Sequence, residues 1–133
     1  MNWDKELIKQ TKEKSRQAFE DAVLLLENNR LSATMNRVYY SMFYNVSALL
    51  LTQKVSSSKH QGIISLFNKK FVLTDKVDRE WGRFYRRIFA VRQKSDYGSF
   101  MDATDIEVKE WFEKGKEFNE IIDNLIDKEL ANI

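Results

Sequence analysis

Three residues at the end of a helical stretch carry chemistry that the rest of the chain does not need for packing. Arg92 falls on the apolar stripe formed by Val77, Trp81, Phe84, Tyr85 and Ile88, apart from Arg79, Arg83, Arg86 and Arg87. A guanidinium on a core-facing stripe is costly unless it is hydrogen-bonded or paired, although near a helix end it can reach outward to water. Asp96 and Tyr97 follow at once, a carboxylate and a phenol. Asp96 offers Arg92 an ordinary ion pair, and the three together offer a polar site. Lys59 and His60 open a short helix, where unpaired backbone N–H groups favour an anion; they read equally as a solvated cation and a partly buried imidazole. Arg37, Tyr40 and Tyr44 share one helix face, spaced for a cation–π cluster or for a cleft shared with Arg92. The neighbouring Tyr39 and Phe43 read as core or interface. Arg37, Tyr40, Lys59 and His60 are the candidates for contact with a phosphate-bearing ligand.

Much other chemistry is excluded. The 133 residues contain no Cys, so there is no thiol nucleophile, thiolate metal site or disulfide scaffold, which fits a reducing, cytoplasmic setting. The only histidine is His60, and no two of the four glycines are close enough for a phosphate-cradling loop. Asp123 and Asp127 share a helix face but find no His or second acidic cluster, so neither metal nor cofactor is expected. The most apolar stretch, Phe43 to Leu51, is too short and too interrupted to span a bilayer.

These groups need helices to position them. There is no Pro at all, and turn-rich sandwiches and barrels need both Pro and Gly. Helical spacing runs from Trp3 to about Asn28, from about Ser32 to Gln53, from His60 to Phe71 behind a Ser58–Gln61 capping box, from Thr74 or Asp75 to Lys94, and from Thr104, capped with Glu107, to about Leu130. This predicts one domain over 1–133: an all-α, antiparallel up-and-down bundle of four long helices plus one short helix. The second helix is apolar on two nearly opposite arcs. It must therefore be central, or be covered by a second copy in a homodimer. Charge is uneven, with nine Lys or Arg against three acids over 69–94 and ten acids against four Lys over 102–133. The simple expectation is that Arg79, Arg83, Arg86 and Arg87 pair with the acidic last helix.

The run Asn36-Arg37-Val38-Tyr39-Tyr40-Ser41-Met42-Phe43-Tyr44, then Ala48-Leu49-Leu50, then Ser58-Lys59-His60-Gln61-Gly62-Ile63-Ile64, then Arg92 with Ser95-Asp96-Tyr97-Gly98, resembles the HEPN domain family (higher eukaryotes and prokaryotes nucleotide-binding), in its small stand-alone prokaryotic branch. The resemblance covers nearly the whole chain. It implies a helical bundle that dimerises, an association with nucleotide or RNA, and a toxin–antitoxin-like pairing with a minimal nucleotidyltransferase. It also implies that Arg92 binds phosphate, with Asp96 orienting it and Tyr97 supplying a hydrogen bond. Ribonucleolytic members place a His four to six residues after the Arg; here Tyr97 stands there. A phenol titrating near pH 10 takes and returns protons poorly at neutral pH, so metal-independent ribonuclease activity does not carry over with the fold. The alternative from another class is a non-catalytic homodimeric interaction module built on the second helix.

Overall fold

The computed structural model describes residues 2–94 and 103–132. Five α-helices follow in order: α1 (Asn2–Glu27), α2 (Leu31–Leu51), α3 (His60–Phe67), α4 (Arg79–Lys94) and α5 (Asp105–Ala131). α3 runs on into a π-helical turn, Asn68–Val72. The all-α bundle of four long helices and a short one is thus the observed fold. No described helix is long and apolar enough to cross a membrane.

With so little Gly and no Pro, the chain turns corners in another way. Three helical segments end in the same reversal, the last two N–H groups folding back onto the final turn. Arg30 N donates to Leu25 O and Asn29 N to Leu26 O. Val55 N and Lys54 N repeat this on Leu50 O and Leu51 O, and Lys76 N and Asp75 N on Phe71 O and Val72 O. The pattern needs a left-handed residue at the corner, supplied by Asn29 (φ 55°), Lys54 (φ 60°) and Asp75 (φ 62°). The third corner explains why α4 begins at Arg79 and not at Thr74 or Asp75. The box expected at Ser58–Gln61 does not form either: Lys59 is the N-cap residue of α3, without a side-chain bond, and its N–H donates to Ser57 Oγ at 3.2 Å. The box at α5 does form. Thr104 Oγ1 accepts from Glu107 N at 3.2 Å, and Glu107 Oε1 accepts from Thr104 N at 3.1 Å.

α2 is the axis of the bundle and packs against α1, α5, α3 and α4. One of its apolar arcs is covered within the chain and the other only in part, with Ala33 exposed and Tyr40, Tyr44 and Leu51 half-buried. Met35, Val38, Tyr39, Met42 and Val46 are fully buried on one, and Ala48 is fully buried on the other. Its narrow polar strip is buried too. Ser15 Oγ donates to Ser41 O at 2.7 Å, Asn119 Nδ2 donates to Ser41 Oγ at 2.9 Å, and Asn45 Nδ2 donates to Asp123 Oδ1 at 3.0 Å, tying α1 and α5 to the axis. Between α1 and α5 lies a cleft of about 1000 Å³, with Ile8, Phe19 and Leu130 among its lining residues.

The expected pairing of α4 arginines with α5 is not what joins the two helices. Among the described residues no ion pair links Arg79, Arg83, Arg86 or Arg87 to α5. The contact is aromatic, with Trp81, Phe84 and Tyr85 around the fully buried Phe118 at ring separations of 6.2, 6.4 and 5.6 Å. The arginines lie on the other side of α4 and are exposed. The acids of α5 find other cations: Asp127 pairs with Lys12, and Glu129 with Lys76.

Two substitutions test these packing arguments with opposite signs. At Gly115 an added Cβ would lie 2.5 Å from Val38 Cγ1, inside the core. Gly115→Ala is expected to destabilise by about 1–2 kcal/mol in urea unfolding, overpacking outweighing Ala's better helix propensity. Lys54→Gly relieves a left-handed β-carbon and is expected to stabilise by about 0.5–1 kcal/mol in the same assay.

Candidate functional site

The middle of α2 presents Arg37, Tyr39, Tyr40, Phe43 and Tyr44 in a short stretch, so successive residues fan across more than one face of the helix. Tyr39 points into the core and is fully buried, whereas Arg37, Tyr40, Phe43 and Tyr44 are half-buried at its edge. The last turns of α4 bring Arg92 to this edge, and the start of α3 brings His60. The structure thus gathers into one cluster residues that are more than fifty positions apart in the chain.

Arg92 is half-buried and lies against the two adjacent tyrosines. Its Nη2 donates to Tyr40 Oη at 2.9 Å, and its guanidinium carbon sits 5.1 Å from the Tyr39 ring centre and 5.2 Å from that of Tyr40. Arg37 reaches the same Tyr40 ring at 5.0 Å, and Tyr44 packs beside Tyr40 with ring centres 6.0 Å apart. A cation over an electron-rich ring gains about 0.5–2 kcal/mol, depending on how far both are desolvated. Tyr40 therefore touches two guanidinium groups, and its ring sets their spacing.

His60 stacks on Phe43 at 4.2 Å with ring planes 7° apart, and lies 5.7 Å from the Tyr39 ring and 5.8 Å from that of Tyr40. Its Nδ1 is hydrogen-bonded to the hydroxyl of Tyr39. Burial pushes the imidazole below its ordinary titration range, and the Arg92 cation lowers it further. Burial pushes the Tyr39 phenol well above its ordinary value, with Arg92 pulling weakly the other way. Near neutral pH the cluster therefore holds a neutral imidazole, a protonated phenol and permanent guanidinium charge.

Of the residues singled out in the sequence, Arg37, Tyr40, His60 and Arg92 come together. Lys59 is exposed at the head of α3, next to His60 in the chain. Asp96 and Tyr97 lie outside the described residues. Tyr39 and Phe43, expected as core or interface, enclose the imidazole together with Phe89, which sequence reasoning did not single out. A partial signal was available for Tyr39: a tyrosine on the core face of a helix usually finds a partner for its hydroxyl. Among the described residues no group of three or more His, Asp or Glu is placed to hold a metal. Asp123 is engaged by Asn45 and Asp127 by Lys12.

The burial of His60 has a measurable consequence. Its folded-state titration lies below that of the unfolded chain, so on acidification the unfolded state takes up the proton first. The associated stability is complete above about pH 6.5 and is lost as the pH falls through the folded value. Wild-type protein is expected to lose stability more steeply below pH 6.5 than His60→Gln, read by thermal unfolding across pH 4.5–7.5.

Comparison with known proteins places the chain. The model described as HEPN domain matches residues 8–125. A Thermotoga maritima protein named "UPF0332 protein" is 42% identical over 127 residues, covering 96% of this chain and 96% of that protein. A Methanocaldococcus jannaschii protein named "Putative toxin" is 32% identical over 106 residues, covering 80% of this chain and 72% of that one. A second protein of that organism, also named "Putative toxin", is 34% identical over 76 residues, covering 57% of each chain. The stretch matched by the domain takes in Arg37, Tyr39, Tyr40, His60 and Arg92 together, and this chain belongs to the HEPN domain family.

Proposed function

We propose that this chain is the HEPN component of a toxin–antitoxin-like pair, and that the Arg92 cluster binds the phosphate of a nucleotide or RNA. The observation that carries this reading is the placement of Arg92. A guanidinium held at a half-buried edge by Tyr40, with Arg37 on the same ring, keeps its fork geometry and is partly stripped of water before a ligand arrives. A pre-organised, partly desolvated cation of this kind suits a phosphate better than a solvated surface charge does. Tyr44, beside Tyr40, adds a half-buried ring on which a base can stack.

The toxin-like role is supported by the names of the Methanocaldococcus relatives. The partner we infer is a minimal nucleotidyltransferase acting as the antitoxin, and the working form is a homodimer in which two such edges face one cleft. Asp96 would orient Arg92, and Tyr97 would add a hydrogen bond to the bound phosphate. With Tyr97 where ribonucleolytic members carry His, we assign the site to binding in the first place.

Equilibrium binding of a labelled single-stranded oligoribonucleotide, followed by fluorescence anisotropy, tests the reading. Arg92→Ala is expected to weaken binding at least about tenfold with the helical circular dichroism unchanged. Arg83→Ala, on the exposed side of α4, is expected to change it by less than about threefold. No binding by the wild-type protein, or equal loss in both variants, would overturn the proposal.

A further inference from the structure

The hydrogen on the Tyr39 hydroxyl has one place to go. The side chain is fully buried, burial keeps the phenol protonated, and a buried hydroxyl without an acceptor is costly. The hydroxyl's hydrogen-bond partner is His60 Nδ1, so the phenol donates and the Nδ1 lone pair is consumed. A neutral imidazole carries a single hydrogen, which must then sit on Nε2. Nε2 lies on the ring edge away from Nδ1, and it has no hydrogen-bond partner among the described residues; the side chain is only half-buried. The groups around the ring reinforce the neutral form. Tyr39 and Tyr40 come from α2, Arg92 from α4, and Lys59 precedes it on α3; among the described residues no carboxylate is hydrogen-bonded or ion-paired to His60 or Tyr39.

We propose that His60 acts as a fixed, neutral hydrogen-bond donor, presenting Nε2–H to a phosphate oxygen of the nucleoside phosphate that Arg92 holds, and not as a proton-transfer group. This rests on the phosphate-binding reading of the Arg92 cluster. His60 and Arg92 both lie within 6 Å of the same two ring centres, the imidazole at 5.7 and 5.8 Å and the guanidinium at 5.1 and 5.2 Å, and the guanidinium is near enough for its charge to act on the imidazole, so both border the same edge of the bundle. A phosphate has acceptors only, which matches a site offering an Nε2–H and a guanidinium. The same geometry separates His60 from the imidazole missing beyond Arg92. With Nδ1 occupied and Nε2 already protonated, it has no lone pair with which to take the proton of a ribose hydroxyl. The ligand is therefore a phosphate monoester or diester that is recognised and retained, its affinity little affected by pH above the titration range of the imidazole.

Because His60 is the only histidine, its ring nitrogens can be read directly by long-range ¹H–¹⁵N correlation in the intact protein. At pH 7 the wild type is expected to show the Nε2–H tautomer, and Tyr39→Phe a mixture shifted toward Nδ1–H with the titration moved upward. Titration with AMP and, separately, with a 2′-deoxy-substituted oligonucleotide tells a terminal phosphate from a backbone one. The one that binds is expected to shift the Nε2 resonance. His60→Phe keeps the stack on Phe43 and removes the donor, and is expected to weaken that ligand about tenfold, with His60→Gln recovering part of the loss. An Nδ1–H tautomer in the wild type, or unchanged affinity in His60→Phe alongside lost affinity in Arg92→Ala, overturns this inference alone. Absence of binding of either probe to the wild type overturns the phosphate reading beneath it.

Discussion

The contact of Arg92 with the rings of Tyr39 and Tyr40 decides how this bundle is used. α4 could reach the bundle with its apolar side alone, through Trp81, Phe84 and Tyr85 around Phe118. Further along, Ile88 and Phe89 are buried as well, with Phe89 against Tyr39 and His60. Arg92, near the last turn, fixes the helix end against the middle of α2. The interaction works because the rings accept a cation on their faces while the Tyr40 hydroxyl takes one N–H, so the charge keeps partners as it leaves water. Two adjacent tyrosines on a helix point about 100° apart, one into the core and one to its edge, and a single guanidinium can touch both.

From that contact follows the division of labour in α2. Its core arc is ordinary packing, and its buried polar strip pins α1 and α5 by hydrogen bonds to Ser41 and Asn45. Its remaining edge is left to Arg37, Tyr40, Phe43 and Tyr44. One helix thus serves as the bundle's axis and as the floor of the candidate site. A substitution in this stretch acts on stability or on the site according to which arc it falls on. Tyr39 belongs to both: its ring is core and its hydroxyl orients His60.

The fold was legible because helical periodicity is a local signal, and the absent Pro and few Gly removed the alternatives. Helix ends were less legible. The left-handed corner at Lys54 is made by a residue with no preference for that conformation, and Asp75, which tolerates it, reads equally as a helix N-cap, so α4 was expected to start too early. The pairing of α4 arginines with α5 acids failed for a related reason. Complementary net charge over two segments does not say which faces meet, and the meeting faces are aromatic. Within the site, the inward position of Arg92 and the shared face of Arg37 and Tyr40 could be read from spacing. That His60 would lie beside Arg92 could not, because it depends on how α3 folds back across α2, a tertiary fact with no counterpart in sequence separation.

Bringing an arginine and a histidine together in space is not the same as rebuilding a proton-transfer pair. An imidazole works as an acid or base when one nitrogen is open and its titration sits near the working pH. Here the surroundings push the other way on both counts: Tyr39 occupies one nitrogen, and burial with an adjacent cation keeps the ring neutral. The features that fix the ring are stacking on Phe43 and a buried phenol, both of which favour rigidity over exchange of protons. The arrangement is better suited to holding an anion in a set orientation than to breaking its bonds. With Nδ1 engaged and the ring neutral, any proton transfer in this chain would have to draw its acceptor from a residue other than His60.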